Sequence, residues 1–174
     1  MALTAVLMAG LSSGCGTAAP TRPPAPATPP VTPMTSISPA VAAAVAALEA
    51  RLTDAGLTIG QSNAEHRPGE PAALQQAARA VYRASLVAPD EGWVLVYDLG
   101  STDAAARAGQ DFAAYLASGQ GQTNYPRDAR FALSVFGAAL VFSWWSPGRT
   151  ADAQQAEALF DAVRAVGQPI EVPR

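Results

Sequence analysis

Residues 130–145 read Arg-Phe-Ala-Leu-Ser-Val-Phe-Gly-Ala-Ala-Leu-Val-Phe-Ser-Trp-Trp. Two runs of aliphatic, β-branched and aromatic residues flank a two-residue break at Gly137-Ala138. That pattern predicts a hairpin, Arg130 to Phe136 against Ala139 to Trp145, closed by a tight turn. Pro147-Gly148 stops the second strand. Thr150 caps a helix with Asp152 in its first turn, and Ala156, Leu159, Phe160, Val163 and Val166 recur at helical spacing on one face. Gly167 and Pro169 end that helix.

The same unit stands upstream. Ala80, Tyr82, Ala84 and Leu86 alternate as a strand does, Ala88 to Gly92 is a turn, and Trp93 to Asp98 (WVLVYD) is rich in strand formers, so Ala80 to Leu99 reads as a hairpin. Ser101-Thr102-Asp103 opens a helix whose buried stripe is Ala105, Ala108, Phe112 and Leu116, and Gly119 stops it. Gly119 to Asp128 is a loop. Further back, Ser38-Pro39 starts a helix with the stripe Val41, Val45, Leu48 and Leu52, ended by Gly56. Leu57 to Ile59 is a short strand, and Ala72 to Ala80 begins as a short helix. The order is helix and strand, then two hairpin-helix units. It predicts an α+β domain, an antiparallel sheet of four or five strands with helices packed on one face. The units look alike, VLVYDLGSTDAAA against LVFSWWSPGRTADA; duplication and convergence both account for this.

Helices on one face would leave the other open. Strand residues alternate between faces, and Trp93, Tyr97 and Trp145 are then the aromatics expected together on the open face, a candidate binding surface. In the alternative, the alanine-rich first helix or the loop from Gly119 to Arg130 covers that face and the three are core.

Catalytic patterns are few. The sequence holds no GxSxG, no phosphate-binding glycine loop and no cluster with metal-ligand spacing. The single histidine, His66, lies beside Arg67 and near Glu65 and Glu70 in a polar stretch from Gln61 to Pro71. It reads as a solvated loop residue. A zinc site needs three or four convergent ligands, so neither metal nor cofactor is expected. Asp98, at a strand end with Arg127 and Arg130, is the one candidate polar cluster. A salt bridge is the plain reading of it, and a hydrolase using Asp98 or His66 is the alternative. A structural or assembly accessory is a further class. The net charge is −3, and all 11 basic residues are scattered arginines, which excludes the basic patch of a nucleic-acid binder.

The front of the chain has a different character. Met1 to Leu11 is an apolar leader, too short for the ~20 residues of a membrane-spanning helix. Leu11-Ser12-Ser13-Gly14-Cys15 follows, ending in the only cysteine. This order resembles the lipobox of bacterial lipoproteins. Ser12 stands where that family prefers an aliphatic residue, and no Lys or Arg precedes the apolar run. The resemblance implies a signal peptide over residues 1–14, cleavage before Cys15, and a diacylglyceryl group and palmitate attached from there. The partner would be a membrane, at the outer side of the plasma membrane or in the outer membrane. The rival readings are a signal peptide cut after Ala19, and a chance apolar start with a free thiol. Residues 15–37 form the anchor and linker; from Gly16 to Ile37 there are seven prolines, enough to favour an extended spacer of about 70 Å at most. The folded domain is 38–174.

From Trp93 to Gly167 the chain resembles small lipoproteins of GC-rich bacteria, on the segments VYDLGSTDAAARAGQDFAAYLASG and YPRDARFALSVFGAALVFSWWSP. This implies an exported domain and carries over no catalytic residue. The sequence therefore predicts a lipid-anchored envelope protein whose domain binds a ligand or a protein partner without catalysis.

Overall fold

The computed structural model describes residues 37–173 except 64, 65, 67 and 86–90. The leader, Cys15, nearly all of the linker and most of the turn expected at Ala88 to Gly92 lie outside them. In chain order the elements are α1 (Pro39–Asp54), β1 (Ile59–Gln61), α2 (Ala72–Gln75), β2 (Ala78–Ala84), β3 (Trp93–Asp98), α3 (Thr102–Ala117), α4 (Gly119–Gln122), β4 (Arg130–Phe136), β5 (Ala139–Trp145), α5 (Ala153–Ala165) and β6 (Gln168–Ile170). The six strands make one antiparallel sheet in the order β1-β2-β3-β5-β4-β6. No helix among the described residues is long and apolar enough to cross a membrane.

Local chemistry sets most boundaries. Ser38 Oγ accepts a hydrogen bond from the Val41 N–H at 3.2 Å, with Pro39 in the first helical turn. Ser101 Oγ does the same for the Ala104 N–H at 3.2 Å. The last helix is capped by Asp152, whose Oδ1 accepts from the Gln155 N–H at 3.0 Å; a carboxylate there also meets the positive end of the helix, so the cap falls two residues after Thr150. In the turn between β4 and β5, Gly137 has φ +57° and Ala138 is not left-handed, the type II′ geometry that suits strand twist.

The α+β antiparallel class is as expected, with two corrections. The sheet has six strands rather than four or five, because β6 continues the chain after α5. The helices cover both faces rather than one. Val94, Val96, Val141 and Trp145 pack with α1 and α5 in one cluster. Leu95, Tyr97, Leu140 and Phe142 pack with Phe112 and Leu116 of α3 in a second. The reason lies in the central strands: β3 and β5 are apolar at successive positions, as strands buried on both sides are, and one layer of helices would leave half of them in water.

This arrangement also bears on the two similar units. β3 and β5 are antiparallel neighbours, so a twofold rotation exchanging the hairpins would run perpendicular to the sheet and keep each helix on its own face. α3 and α5 lie on opposite faces. The hairpin-helix units are thus not related by a symmetry of the sheet.

Candidate functional site

The three aromatics expected on one open face are divided between two covered ones. Val94 pairs with Ser143 and Leu95 with Phe142, and paired residues share a face. Trp93 and Tyr97 therefore stand on the α3 side and Trp145 on the α1/α5 side. Tyr97 has no exposed surface and Trp145 is 6% exposed. Trp93 is half-buried under other side chains: His66 stacks on it, ring centroids 4.5 Å apart and planes 2° apart, and the Arg83 guanidinium lies 4.8 Å from its ring. Asp98 is engaged in a turn, its Oδ1 accepting from the Gly100 N–H at 2.9 Å. It is also far from Arg130, because Asp98 pairs with Ala139 at one end of β5 and Arg130 with Trp145 at the other. The expected Asp98–Arg127–Arg130 cluster does not form. Cys15 lies outside the described residues.

The stretch around His66 is not the solvated loop its composition suggests. Its described residues fold over the α3-side face beside β2 and β3, with Leu74 in the core there. Glu70 goes down with them. Its Oε1 accepts from Arg79 Nη1 at 2.9 Å and its Oε2 from the Tyr97 hydroxyl at 2.5 Å; the Glu70 and Arg79 side chains are 2% and 9% exposed. Gln75 Nε2 donates to the Glu70 carbonyl and the Tyr125 hydroxyl to the Gly69 carbonyl. Burial first, then the Glu70 carboxylate, pushes the Tyr97 hydroxyl well above its ordinary value, so it stays a donor. Burial, then the charges of Arg79 and Arg83, pushes the His66 imidazole below its ordinary value. Each member of the Glu70–Arg79–Tyr97 set is satisfied and shielded, which makes it a fastening for the loop.

The opposite corner of the sheet is open. A groove of about 680 Å³ runs across the start of β4, lined by Arg127, Arg130, Phe131, Phe160, Arg164 and Glu171 with their neighbours. Its volume is in the range of ligand sites. Two arginines share one aromatic ring: Arg130 Cζ lies 4.9 Å and Arg164 Cζ 5.5 Å from the Phe160 centroid, distances at which a guanidinium is attracted to a π face. Arg130 also reaches the Trp145 ring at 5.4 Å. Arg130 pairs with Glu157 and Arg164 with Glu171, both at partly exposed positions. Arg127 is exposed and makes no ion pair among the described residues. Asp128 is turned to its own loop, accepting from the Ser146 hydroxyl at 2.7 Å and the Gly148 N–H at 2.6 Å; these bonds, the hydroxyl's foremost, hold its carboxyl below the usual range. The groove thus presents cationic, planar donors beside aromatic surface. That is equipment for holding an anion with an extended or flat body. Among the described residues no group of three or more His, Cys, Asp or Glu is placed to hold a metal ion.

Of the groove residues, Arg127 and Arg130 were visible in the sequence as a pair. Phe160 read only as helix core, and Arg164 and Glu171 carried no signal. The spacing of Phe160 and Arg164, one helical turn apart, was the one available hint. No protein-family model, curated protein or solved structure matches the chain.

Proposed function

We propose that the chain is a lipid-anchored envelope protein whose domain binds a ligand or protein partner without catalysing a reaction. Cys15 carries the lipid, residues 15–37 hold the domain away from the membrane, and the groove at the start of β4 is the binding site. The observation that carries the binding part is the convergence of Arg127, Arg130 and Arg164 on one groove of about 680 Å³ with Phe160 between two of them. The polar residues that an enzyme would have used support the same reading: Asp98 is occupied by its turn and the His66 ring lies flat on Trp93.

Two measurements test it. A palmitate analogue fed to cells is expected to label the wild type and not Cys15→Ser; an unlabelled wild type, or equal labelling of the variant, removes the anchor. For the groove, the full-length protein in detergent is screened by thermal shift against small organic acids and acidic peptides. Shifts in the wild type that disappear in Arg127→Ala/Arg164→Ala are expected. Shifts that survive in that variant, or their absence throughout, remove the groove as the site.

A further inference from the structure

We propose that the groove takes an extended acidic peptide, which adds as a short strand to the open outer edge of β4 while its carboxylates meet Arg127, Arg130 and Arg164. This rests on the reading of the groove as a binding site and names its ligand.

The open edge follows from the register. Phe136 and Ala139 close a two-residue hairpin and so form a hydrogen-bonded pair, after which bonded and non-bonded pairs alternate. The main-chain groups of 136, 134, 132 and 130 therefore point toward β5, and those of 135, 133 and 131 point outward. β6 meets the first two, Val135 with Gln168 and Leu133 with Ile170. The same register would set Val172 against Phe131, but pairing ends at Ile170. The N–H and C=O of Phe131 are left at the groove, where Phe131, Glu171 and Val172 are all lining residues. An unpaired strand edge is a template for another chain, and strand addition is a common way of recognising peptides. A small acid would use the arginines and leave this edge idle.

On the β6 side of the sheet, entry is confined to this point. Pro169 pairs with Ser134 at a non-bonded position, so its missing N–H faces outward. A strand laid outside β6 finds no donor at the middle of that edge. The open stretch from Arg130 to Ala132 is about 10 Å long, enough for three residues of ligand.

The chain supplies a precedent for the ligand's chemistry. Its own segment after β6 places the Glu171 carboxylate on Arg164 beside the Phe160 ring. The Glu171 side chain is 73% exposed, so an ion pair this wet can exchange for another carboxylate at little cost. Arg127, which makes no ion pair among the described residues, lines the same groove and is available for a second acid.

The test uses the full-length protein in detergent and a fluorescein-labelled hexapeptide of alternating valine and glutamate, read by anisotropy. The probe is expected to bind, with its Phe131 amide contact seen as slowed hydrogen exchange at that N–H. Three changes should each weaken binding by about tenfold or more, the scale of one charge-assisted bond: glutamine in place of glutamate, methylation of every peptide amide, and the Arg127→Ala/Arg164→Ala variant. Glu171→Gln, which releases Arg164, should tighten it. No binding, or equal affinity for the glutamine or methylated peptide, overturns the proposal. If the peptides fail while glutarate gives an arginine-dependent thermal shift, the groove stands as a binding site and its ligand is a small acid. If nothing responds to the arginines, both readings fall.

Discussion

Two arginine–glutamate pairs hold opposite parts of this domain, and they do opposite things. Glu70 and Arg79 are 2% and 9% exposed at their side chains, with the Tyr97 hydroxyl as a further donor. Arg164 and Glu171 are 39% and 73% exposed, with an aromatic ring under the guanidinium and open groove around it. The residue types are the same; the surroundings differ. A buried pair cannot lose one member without stranding a charge away from water. An exposed pair trades its partner for water or another anion with small consequence. The first is therefore a fixture of the fold, and the second is where a ligand can compete.

Four measurements bear on that contrast. Glu70→Ala strands the Arg79 charge and should cost about 3–5 kcal/mol in urea denaturation; a loss under about 1 kcal/mol would put the two pairs in one class. Tyr97→Phe leaves Glu70 Oε2 buried without its donor and should cost about 1–3 kcal/mol, with the loop around Gly69 and Glu70 exchanging amide hydrogens faster. His66 gives the buried side a pH dependence. Its folded value is depressed below 6.5 by burial, Arg79 and Arg83, so below pH 6.5 the unfolded chain takes up a proton that the folded one refuses. Stability should fall as the pH drops through that value, and should level off below the folded value. His66→Phe, which keeps the stack on Trp93, should remove that part of the slope. The smallest effect belongs to the exposed pair: Glu171→Gln should change stability by less than about 1 kcal/mol. A larger loss would mean that the segment after β6 is locked in place and does not yield to a ligand.

Much of the fold was legible in the sequence because its determinants are local. Ser38-Pro39, Ser101 and the Gly137-Ala138 turn act within four residues, and the alternation of Trp93 to Asp98 is a property of one strand. The errors came from distance along the chain. The polar stretch around His66 and Glu70 does not read as buried because the groups that bury Glu70, Arg79 and Tyr97, come from two different strands. Asp98 and Arg130 looked like neighbours until the register put them at opposite ends of β5. A single layer of helices does not suffice because β3 and β5 are apolar at successive positions and both faces are buried, the covered-face alternative for Tyr97 and Trp145. β6 escaped notice because three residues containing Pro169 make no strand pattern. The groove was half visible, since Arg127 and Arg130 are three residues apart in sequence while Arg164 and Glu171 reach it only through α5 and β6.

That last strand matters beyond the groove. β6 contributes only Gln168, Pro169 and Ile170, yet it stands between the main-chain groups of Leu133 and Val135 and the surrounding water. A chain cut before Gln168 would keep both hairpins and all five helices. It would also bare the whole outer side of β4, a long apolar margin on which a second molecule could dock margin to margin. Three residues, one of them without an N–H to offer, thus cover most of that margin, next to the place where recognition of another chain is proposed to begin.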